Sequence, residues 1–394
     1  MKLERPPLGS SGSSDLEGAP ASDPSRGEAG DASAPFSARV TQWQRRHGRR
    51  GLPWQSGRDP YRVWLSEVML QQTQVSTVLA YYARFLERFP NVRALAAASL
   101  DDVLAQWSGL GYYSRARNLH RCAERVVAEH AGRFPQDAHT LSTLPGIGRS
   151  TAAAIAAFCF GQRAAIFDGN VKRVLARALA YAEDLAVARH ERELWQRACE
   201  LLPTNAQDMP AYTQGLMDLG ATLCTPRRPN CPACPLETVC RARREGRPEA
   251  YPVKTRKNKR SRRESWCLWL QSPGAVWLQQ RPASGVWSGL WSFPLYESEA
   301  ALAAAASALG VGTEAQPTLR HALTHFDWTL HPHRAQCANR REVQAVLGAG
   351  RWVELDALHA LGLPAPLTRW LESAPRAAPP TRFGASGSGL SGPA

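Results

Sequence analysis

The feature that most restricts how this chain can fold is a group of four cysteines between positions 224 and 240. Cys224, Cys231, Cys234 and Cys240 have the spacing C-x6-C-x2-C-x5-C, and a proline follows each of the middle two. Turns at such prolines can bring four thiolates around one point. Four thiolates suit a tetrahedral zinc ion or an iron–sulfur cluster, and the spacing alone does not choose between them. The sequence therefore predicts a metal-bound loop that presents the basic segment 225–230.

The composition indicates the class of partner and the compartment. The chain has 48 Lys and Arg against 34 Asp and Glu, which gives a formal net charge of +14. A basic surface gains from counterion release when it covers phosphates, so we expect a polyanionic partner, although charge alone does not distinguish DNA, RNA and an acidic membrane. No apolar run approaches the roughly eighteen residues of a membrane span, and the N-terminus lacks a secretory pattern. The nine cysteines are an odd number. We therefore expect a soluble, cytoplasmic protein with thiols and a metal site rather than disulfides.

The chain divides into two folded regions between two tails. Residues 1–35 and 374–394 are rich in Gly, Ser and Pro and poor in large apolar side chains, so we predict that both are disordered. Between 36 and 250, apolar residues recur at helical spacing and prolines and glycines mark short links, which predicts an all-α region. Segment 251–263 contains KTRKNKRSRR, with seven basic residues in ten, and we interpret it as an exposed basic linker.

Residues 264–373 follow a different pattern. Short apolar stretches rich in Trp and Val flank a Pro-Gly pair at 273–274, which predicts a β-hairpin. The alanine-rich segment 301–310 predicts a helix, and 321–336 predicts another strand. The second region is therefore predicted to be α+β.

A glycine-rich turn at 144–158, LPGIGRSTAAAIAAF, opens a helix. Glycines at 146 and 148 allow a tight turn, and Ser150 or Thr151 can begin a helix whose first N–H groups bind an anion. The turn lacks the lysine of a P-loop, which makes a mononucleotide site the poorer interpretation. A nucleic-acid phosphate is the better one, and a plain joint between two packed helices is the alternative.

Two carboxylates lie in segments that suit acid chemistry. Glu67 stands within the apolar stretch WLSEVMLQQTQV, where burial raises the pKa of a carboxyl, and Asp168 lies just ahead of a helix. A helix-surface glutamate and an ordinary N-cap aspartate are the simpler interpretations. Together the two could supply a proton donor and a partner for positive charge on a sugar, as in glycoside cleavage.

The segment WSGLGYYSRARNL places Tyr112 and Tyr113 after a glycine turn, with Arg115 and Arg117 close behind. Aromatic side chains on such a loop can stack on bases or wedge between them while arginines hold phosphates. Tyrosines that fill a core are the alternative.

Seven ordered motifs resemble those of one enzyme family. They are LPWQ, SEVMLQQTQV, GLGYYSRARNLH, LPGIGRSTAAAI, DGNVKRVLAR, MDLGATLC and the cysteine pattern. Together they resemble an adenine DNA glycosylase of the MutY type, in the helix-hairpin-helix glycosylase superfamily, over about residues 36–372. The fold class that the resemblance implies is multidomain: an all-α helix-hairpin-helix core with an iron–sulfur cluster subdomain, followed by an α+β Nudix-like domain.

The resemblance implies a role for particular residues of this chain. Glu67 would protonate the extruded adenine, and Asp168 would stabilise the oxocarbenium-like sugar cation or a transient adduct. The hairpin at 140–158, with Gly146, Gly148 and Ser150, would grip a DNA phosphate, and the cysteine loop 224–240 would hold a [4Fe-4S] cluster. Further positions match those that contact the DNA opposite the adenine: Gln72, Thr73, Leu110 and Tyr112. Trp54 and Gln214 match positions around the adenine pocket.

The resemblance also implies a substrate, namely duplex DNA in which adenine is mispaired with 8-oxoguanine or guanine. The enzyme would act in base excision repair as a monomer in the cytoplasm of a bacterium, near the nucleoid. In relatives that also cut the strand a nucleophilic lysine stands at the position of Ser150, so cleavage by a Schiff base is not expected here.

The region 264–373 resembles the Nudix-like module that reads 8-oxoguanine in this family. The Arg-Glu and Glu-Glu pairs of a Nudix box are missing after Gly289, so no magnesium-dependent pyrophosphatase is expected. The recognition loop has Leu323, Thr324 and His325 where the family commonly has Phe-Ser-His, and Leu323 removes an aromatic contact.

Two other functions stay open at this point. A bifunctional glycosylase and lyase of the endonuclease III kind is opposed by Ser150 and by the C-terminal region. A non-catalytic iron–sulfur DNA-binding sensor is opposed by the presence of both Glu67 and Asp168.

Overall fold

The computed structural model describes residues 34–255, 260–323 and 326–373. The predicted tails, apart from residues 34 and 35, lie outside the described residues, and so do Thr324 and His325.

Within the described residues the first region is helical, as predicted. Its helices are α1 (Phe36–His47), α2 (Pro60–Met69), α3 (Val75–Arg88), α4 (Val92–Ala96), α5 (Leu100–Trp107), α6 (Ser114–His130), α7 (Ala138–Leu141), α8 (Arg149–Phe160), α9 (Gly169–Ala178), α10 (Ala188–Glu200), α11 (Met209–Thr222) and α12 (Arg241–Arg244). Side chains that accept backbone N–H groups fix where several helices begin. Asp59 caps α2, Ser99 caps α5 and Asp168 caps α9.

Helix α8 lies at the centre of the helical region. Ala152, Ile155 and Ala156 belong to an apolar core with α2, α3, α5 and α6, whereas Ala153 and Ala157 belong to a second core with α9, α10 and α11. A helix that is apolar on all sides must be buried on all sides, and its small alanines let neighbouring helices approach closely. The hairpin that begins this helix is therefore held by the two cores together.

The second region is an eight-stranded mixed sheet with three helices, which confirms the predicted α+β class. Its elements are β1 (Ser261–Ser272), β2 (Ala275–Gln280), β3 (Trp291–Ser292), β4 (Leu295–Tyr296), α13 (Glu299–Ala308), β5 (Thr313–Ala315), β6 (Leu319–Ala322), β7 (Phe326–Gln336), α14 (Val343–Leu347), β8 (Arg351–Glu354) and α15 (Ala365–Ser373). Strands β1 and β7 pair in parallel at the centre of the sheet, and β2 pairs with β1 antiparallel. In the predicted β1–β2 hairpin Ser272 pairs with Ala275 across the Pro-Gly turn, and Gly274 has φ +76°.

Two sequence expectations need correction in this region. Segment 321–336 forms the end of β6 and all of β7, an antiparallel pair in which Ala322 lies opposite Asp327, rather than one strand. The sequence does not indicate this turn, because residues 323–325 include none of the Gly, Pro or Asn residues that usually mark a hairpin. The expected linker 251–263 is not free at either end, since the Leu185 N–H donates to the Val253 carbonyl and β1 already begins at Ser261.

The two regions share one apolar core. Leu104 and Trp107 of α5 belong to the same buried cluster as Leu290, Leu361 and Leu363 of the sheet region. None of the helices in the described ranges combines the length and the hydropathy that crossing a bilayer requires.

Candidate active site

A cavity of about 560 Å³ opens in the helical region beside α2. Its wall includes Glu67 of α2, Trp54 of a 3₁₀ turn at Pro53–Gln55, Phe158 of α8 and Gln214 of α11. Three arginines, at positions 49, 50 and 58, also line it. The structure therefore places a carboxyl, two aromatic rings and an amide around a space that a purine base would fit.

Glu67 has the properties of a proton donor. Burial, and to a smaller extent the nearby charge of Asp168, raise the pKa of its carboxyl to about 8. Ser66 beside it bonds back to the Val63 carbonyl of its own helix. A carboxyl with a pKa of about 8 is protonated at neutral pH and can give its proton to a base.

Asp168 has a different environment. Its Oδ1 accepts the Val171 N–H at 2.8 Å, so the carboxylate caps α9 at the N-terminus of that helix. The residue before it is fixed by the hairpin helix, because the Phe167 N–H donates to Ser150 Oγ at 2.8 Å. Ser150 thus holds the loop that carries Asp168, and the Phe167 ring also stands 4.9 Å from the Trp195 ring.

An ion pair that the sequence did not reveal closes one side of the cavity. Asp218 of α11 is fully buried, and it accepts Arg49 Nε at 2.7 Å and the Arg49 N–H at 2.9 Å. Its Oδ1 also accepts Gln214 Nε2 at 2.9 Å. Gln55 Nε2 donates to the Arg49 carbonyl. One buried carboxylate therefore orients both Gln214 and Arg49, and the only signal in the sequence was an aspartate in the apolar motif MDLGATLC.

The predicted hairpin lies at the start of α8. Gly146 has φ +75°, and a Cβ there would come within 2.6 Å of the Asn118 Cβ, so the position favours glycine. Gly148 is the N-cap of α8, and both glycines are exposed. The first N–H groups of a twelve-residue helix thus open toward solvent, as anion binding requires.

The loops at 70–74 and 108–113 hold the other predicted DNA contacts. Gln72 is exposed with φ +59°, and Tyr112 is 47% exposed with φ +50°. Both residues adopt a backbone conformation that is uncommon for side chains of this size. Thr73 is half-buried and accepts Arg115 Nη2 at 3.2 Å. Leu110 is 6% exposed, so its side chain does not face solvent in this conformation.

The arginines after the tyrosines were expected to face phosphates, but their side chains bond inward to the protein. Arg115 is buried and donates to the carbonyls of Val68 and Met69 at the end of α2. Arg117 donates from Nη1 to the Ser288 carbonyl at 2.6 Å. Tyr113 Oη donates to the Leu363 carbonyl at 2.8 Å, so it belongs to the contact between the two regions. The sequence did not predict these inward contacts because their partners are backbone carbonyls, which any residue supplies.

The four cysteines line a second, much smaller cavity of about 30 Å³. All four are free and half-buried, and the neighbouring cysteines raise the pKa values of Cys231, Cys234 and Cys240, after the larger effect of burial. Among the described residues no three His, Cys, Asp or Glu side chains come close enough together to hold a single metal ion. The four cysteines therefore border one common space.

A buried arginine lies against this cysteine cavity. Arg177 is 2% exposed, and its Nη1 lies 3.3 Å from Cys224 Sγ. The same guanidinium donates to the carbonyls of Thr225 and Pro226, and from Nε to the Tyr251 carbonyl. Its positive charge is thus fixed beside thiols that metal binding would convert to thiolates.

Two family models match the chain. That of the HhH-GPD superfamily base excision DNA repair protein covers residues 65–199, and that of the NUDIX domain covers residues 265–373. The chain is 33% identical over 341 residues to the adenine DNA glycosylase of Buchnera aphidicola subsp. Schizaphis graminum, covering 86% of this chain and 98% of the relative. It is 39% identical over 302 residues to the adenine DNA glycosylase of Homo sapiens, covering 62% of this chain and 55% of the relative. A solved structure of a thermostable thymine-DNA glycosylase is similar with a TM-score of 0.47 and 27% identity, over 53% of this chain and 95% of that one.

Proposed function

Because the chain belongs to the adenine DNA glycosylase family, we propose that its substrate is adenine mispaired with 8-oxoguanine or guanine in duplex DNA. The observation that carries the proposal is the Glu67 carboxyl, which lines a cavity of base size and whose pKa burial raises to about 8. A hydrolase that removes adenine needs such an acid, because adenine that is not protonated must leave as an anion, which is a poor leaving group.

In the proposed reaction the adenine leaves the duplex and enters the cavity beside Trp54 and Gln214. Extrusion costs a few kcal/mol of stacking and pairing, and stacking on an aromatic ring offsets part of that cost. Gln214, held by Asp218, presents an amide that can bond to the edge of the base. Glu67 gives its proton to the bound adenine as the bond between base and sugar breaks.

Asp168 then stabilises the positive charge that develops on the sugar, either as a nearby carboxylate or through a transient covalent adduct. Its nearness to Glu67 and its fixed position at the start of α9 support this role. Water completes the hydrolysis and leaves an abasic site. The two carboxylates thus divide the work, with one supplying a proton and the other a negative charge.

We propose that the enzyme is monofunctional, so that it releases the base without cutting the strand. Strand cleavage of the Schiff-base kind needs a nucleophilic amine. Position 150 carries a serine, and its hydroxyl already accepts the Phe167 N–H. The start of α8 would bind a phosphate through its N–H groups, while Gln72 and Tyr112 would contact the strand opposite the adenine. Thr324 and His325 remain expectations for the reading of 8-oxoguanine, and the monomeric state remains a prediction.

We also propose that Cys224, Cys231, Cys234 and Cys240 hold a [4Fe-4S] cluster. One zinc ion needs four sulfurs within about 2.3 Å of a single point, whereas a polynuclear cluster is held by sulfurs spread around it. The four cysteines line one cavity, so they could hold such a group together, and the likeness of their spacing to that of the family favours the cluster over zinc. Arg177 would offset the negative charge of the four thiolates. When bound, the cluster would act as a structural clip for the exposed arginines of segment 225–230.

The proposal is tested by single-turnover base release from duplexes that carry adenine opposite 8-oxoguanine, guanine or cytosine. Hot alkali reveals abasic sites as strand breaks. We expect breaks only after alkali, fastest opposite 8-oxoguanine, slower opposite guanine and absent opposite cytosine. Breaks without alkali would contradict the monofunctional mechanism, and equal release from all three duplexes would contradict the proposed mispair.

A further inference from the structure

The loop between β2 and β3 contains a bulky residue in an unusual backbone conformation. Trp287 has φ +58°, a value that only glycine adopts readily, although its side chain is just 7% exposed. The Leu290 N–H donates to the Trp287 carbonyl at 2.9 Å and closes a tight turn. Such a conformation persists only where the surrounding contacts impose it, and it tends to occur at functional elements.

On one side this turn packs on the β6–β7 hairpin. The Trp287 ring stands 4.6 Å from the Trp328 ring and 5.8 Å from the His321 ring, measured between centroids. His321 and Trp328 lie opposite each other across β6 and β7. Trp328 is held in turn, because its Nε1 donates to Ser265 Oγ of β1. Trp287 therefore packs on a cross-strand pair of the hairpin and helps to fix the orientation of that hairpin.

On the other side the same turn is bonded to the helical region. Arg117 of α6 donates from Nη1 to the Ser288 carbonyl at 2.6 Å, and burial lowers the pKa of its guanidinium. Gly289 follows with φ +75°, and a Cβ there would lie 3.9 Å from side-chain atoms of both Arg117 and Leu104. Arg117 stands one turn into α6, the helix that begins directly after Tyr112 and Tyr113. The start of α6 thus carries Tyr112 on one side and, five residues on, the Arg117 bond to the turn that packs on the β6–β7 hairpin.

We propose that Arg117 and Trp287 are positioning residues that hold Tyr112 and the β6–β7 hairpin at a fixed separation. This inference rests on the proposed function, in which those two elements contact the strand opposite the adenine from the two regions of the protein. Two contacts to one base select it strongly only when their spacing is set in advance. Arg117 and Trp287 therefore determine preference for the lesion without touching DNA.

The test compares release of adenine opposite 8-oxoguanine with release opposite guanine under single-turnover conditions. For Arg117→Gln we expect the first rate to fall about tenfold, the effect of losing one hydrogen bond from a charged donor, while the second changes less than about twofold. Arg197→Gln is the matched control, because Arg197 is an exposed arginine of α10 that pairs with the exposed Glu200. Equal losses on both duplexes, or no loss on either, would overturn the inference.

A second variant addresses the other end of this set of contacts. Trp287→Leu should lower the ratio of the two rates by a similar factor. The double variant Arg117→Gln with Trp287→Leu should have a ratio no lower than that of the more impaired single variant, because both substitutions break the same set of contacts. Trp352→Leu is the control, because Trp352 packs on Trp277 in a separate cluster of the same region. Multiplied losses in the double variant would contradict the shared set of contacts. If Trp287→Leu does not fold, the ratio of the two rates in Arg117→Gln tests the inference by itself. A wild-type enzyme that releases no adenine opposite 8-oxoguanine would instead contradict the proposed function.

Discussion

Two cavities of the helical region, the one beside α2 and the one lined by the cysteines, differ in how they bring ionisable side chains together. The cavity beside α2 has a volume of about 560 Å³ and draws its wall from α2, α8, α11 and the segment around Trp54. The cavity of the cysteines has a volume of about 30 Å³ and draws its four sulfurs from one short segment. The first is large enough to admit a base, and the second is not. The difference in size is consistent with the roles proposed above, a substrate site for the first and a site for a bound cluster for the second.

The ionisable groups at the two cavities also differ in how firmly neighbouring groups hold them. In the larger one burial leaves Glu67 with a raised pKa, so the carboxyl is ready to lose a proton to whatever enters. In the smaller one the buried Arg177 is hydrogen-bonded to three carbonyls and lies beside Cys224, so its charge cannot move away. Glu67, the proposed acid, thus lies in surroundings that disfavour its charged form. A structural group is surrounded by fixed partners.

The largest effect should come from removing the proton donor. Glu67→Gln keeps the size of the side chain and its place in the cavity wall but cannot protonate a base, so single-turnover release should fall by about 1,000-fold or more. Binding of the mispaired duplex, measured by gel shift, should be retained. Glu129→Gln is the control, since Glu129 is exposed on α6 and pairs only with Arg125. Activity near that of the wild type would remove Glu67 from the mechanism.

The next effect should come from the cysteine cavity. Cys231→Ser removes one ligand, and we expect loss of most of the bound iron, a lower melting temperature and release slowed by about tenfold to a hundredfold, because ligand loss is coupled to local unfolding. Iron content is measured by a colorimetric assay on the purified protein. Cys199→Ser, at an exposed position outside the group, should keep its iron. Stoichiometric zinc in the wild type, or unchanged iron in Cys231→Ser, would contradict the cluster.

The two cavities also differ in how far the sequence could predict them. The cysteine loop is local, so its spacing alone indicated a metal site. The residues of the larger cavity are distant in the sequence: the apolar stretch around Glu67 indicated a buried carboxyl, whereas only the family motifs pointed to Trp54 and Gln214. The role of Asp218 was not predicted, because its partner Arg49 is 169 residues away in the sequence and no local pattern indicates such an ion pair. The helical and α+β classes followed from periodicity, whereas the β6–β7 turn did not, because it lacks turn residues.

A moderate effect is expected at the ion pair that the sequence did not reveal. Asp218→Asn keeps the shape of the side chain but removes the charge that Arg49 faces, so the half-buried guanidinium loses its ion-pair partner and Gln214 loses a charge-assisted acceptor. Because Gln214 would no longer be held toward the base, we expect release about tenfold slower and a modest loss of stability. Asp102→Asn is the control, since Asp102 forms an exposed ion pair with Arg88. A rate within about twofold of the wild type would show that Gln214 is oriented by other groups.

The smallest effect, and the one that separates an acid from a merely buried carboxyl, is the dependence on pH. With a pKa of about 8, Glu67 is about nine-tenths protonated at pH 7 and half protonated at pH 8, so release should fall about twofold over that interval and tenfold per unit above it.

The free energy of unfolding should also depend on pH through the titration of Glu67. Because the folded chain holds the proton more tightly than the unfolded chain, whose ordinary value is 4.5, the stabilising contribution is complete below pH 4.5 and is lost as pH rises through about 8. Glu67→Gln should therefore melt higher than the wild type at pH 8 and similarly at pH 4.5, as measured by thermal denaturation. Parallel melting curves at both pH values, together with a rate that does not fall above pH 8, would show that the carboxyl is ionised in the cavity and cannot be the acid.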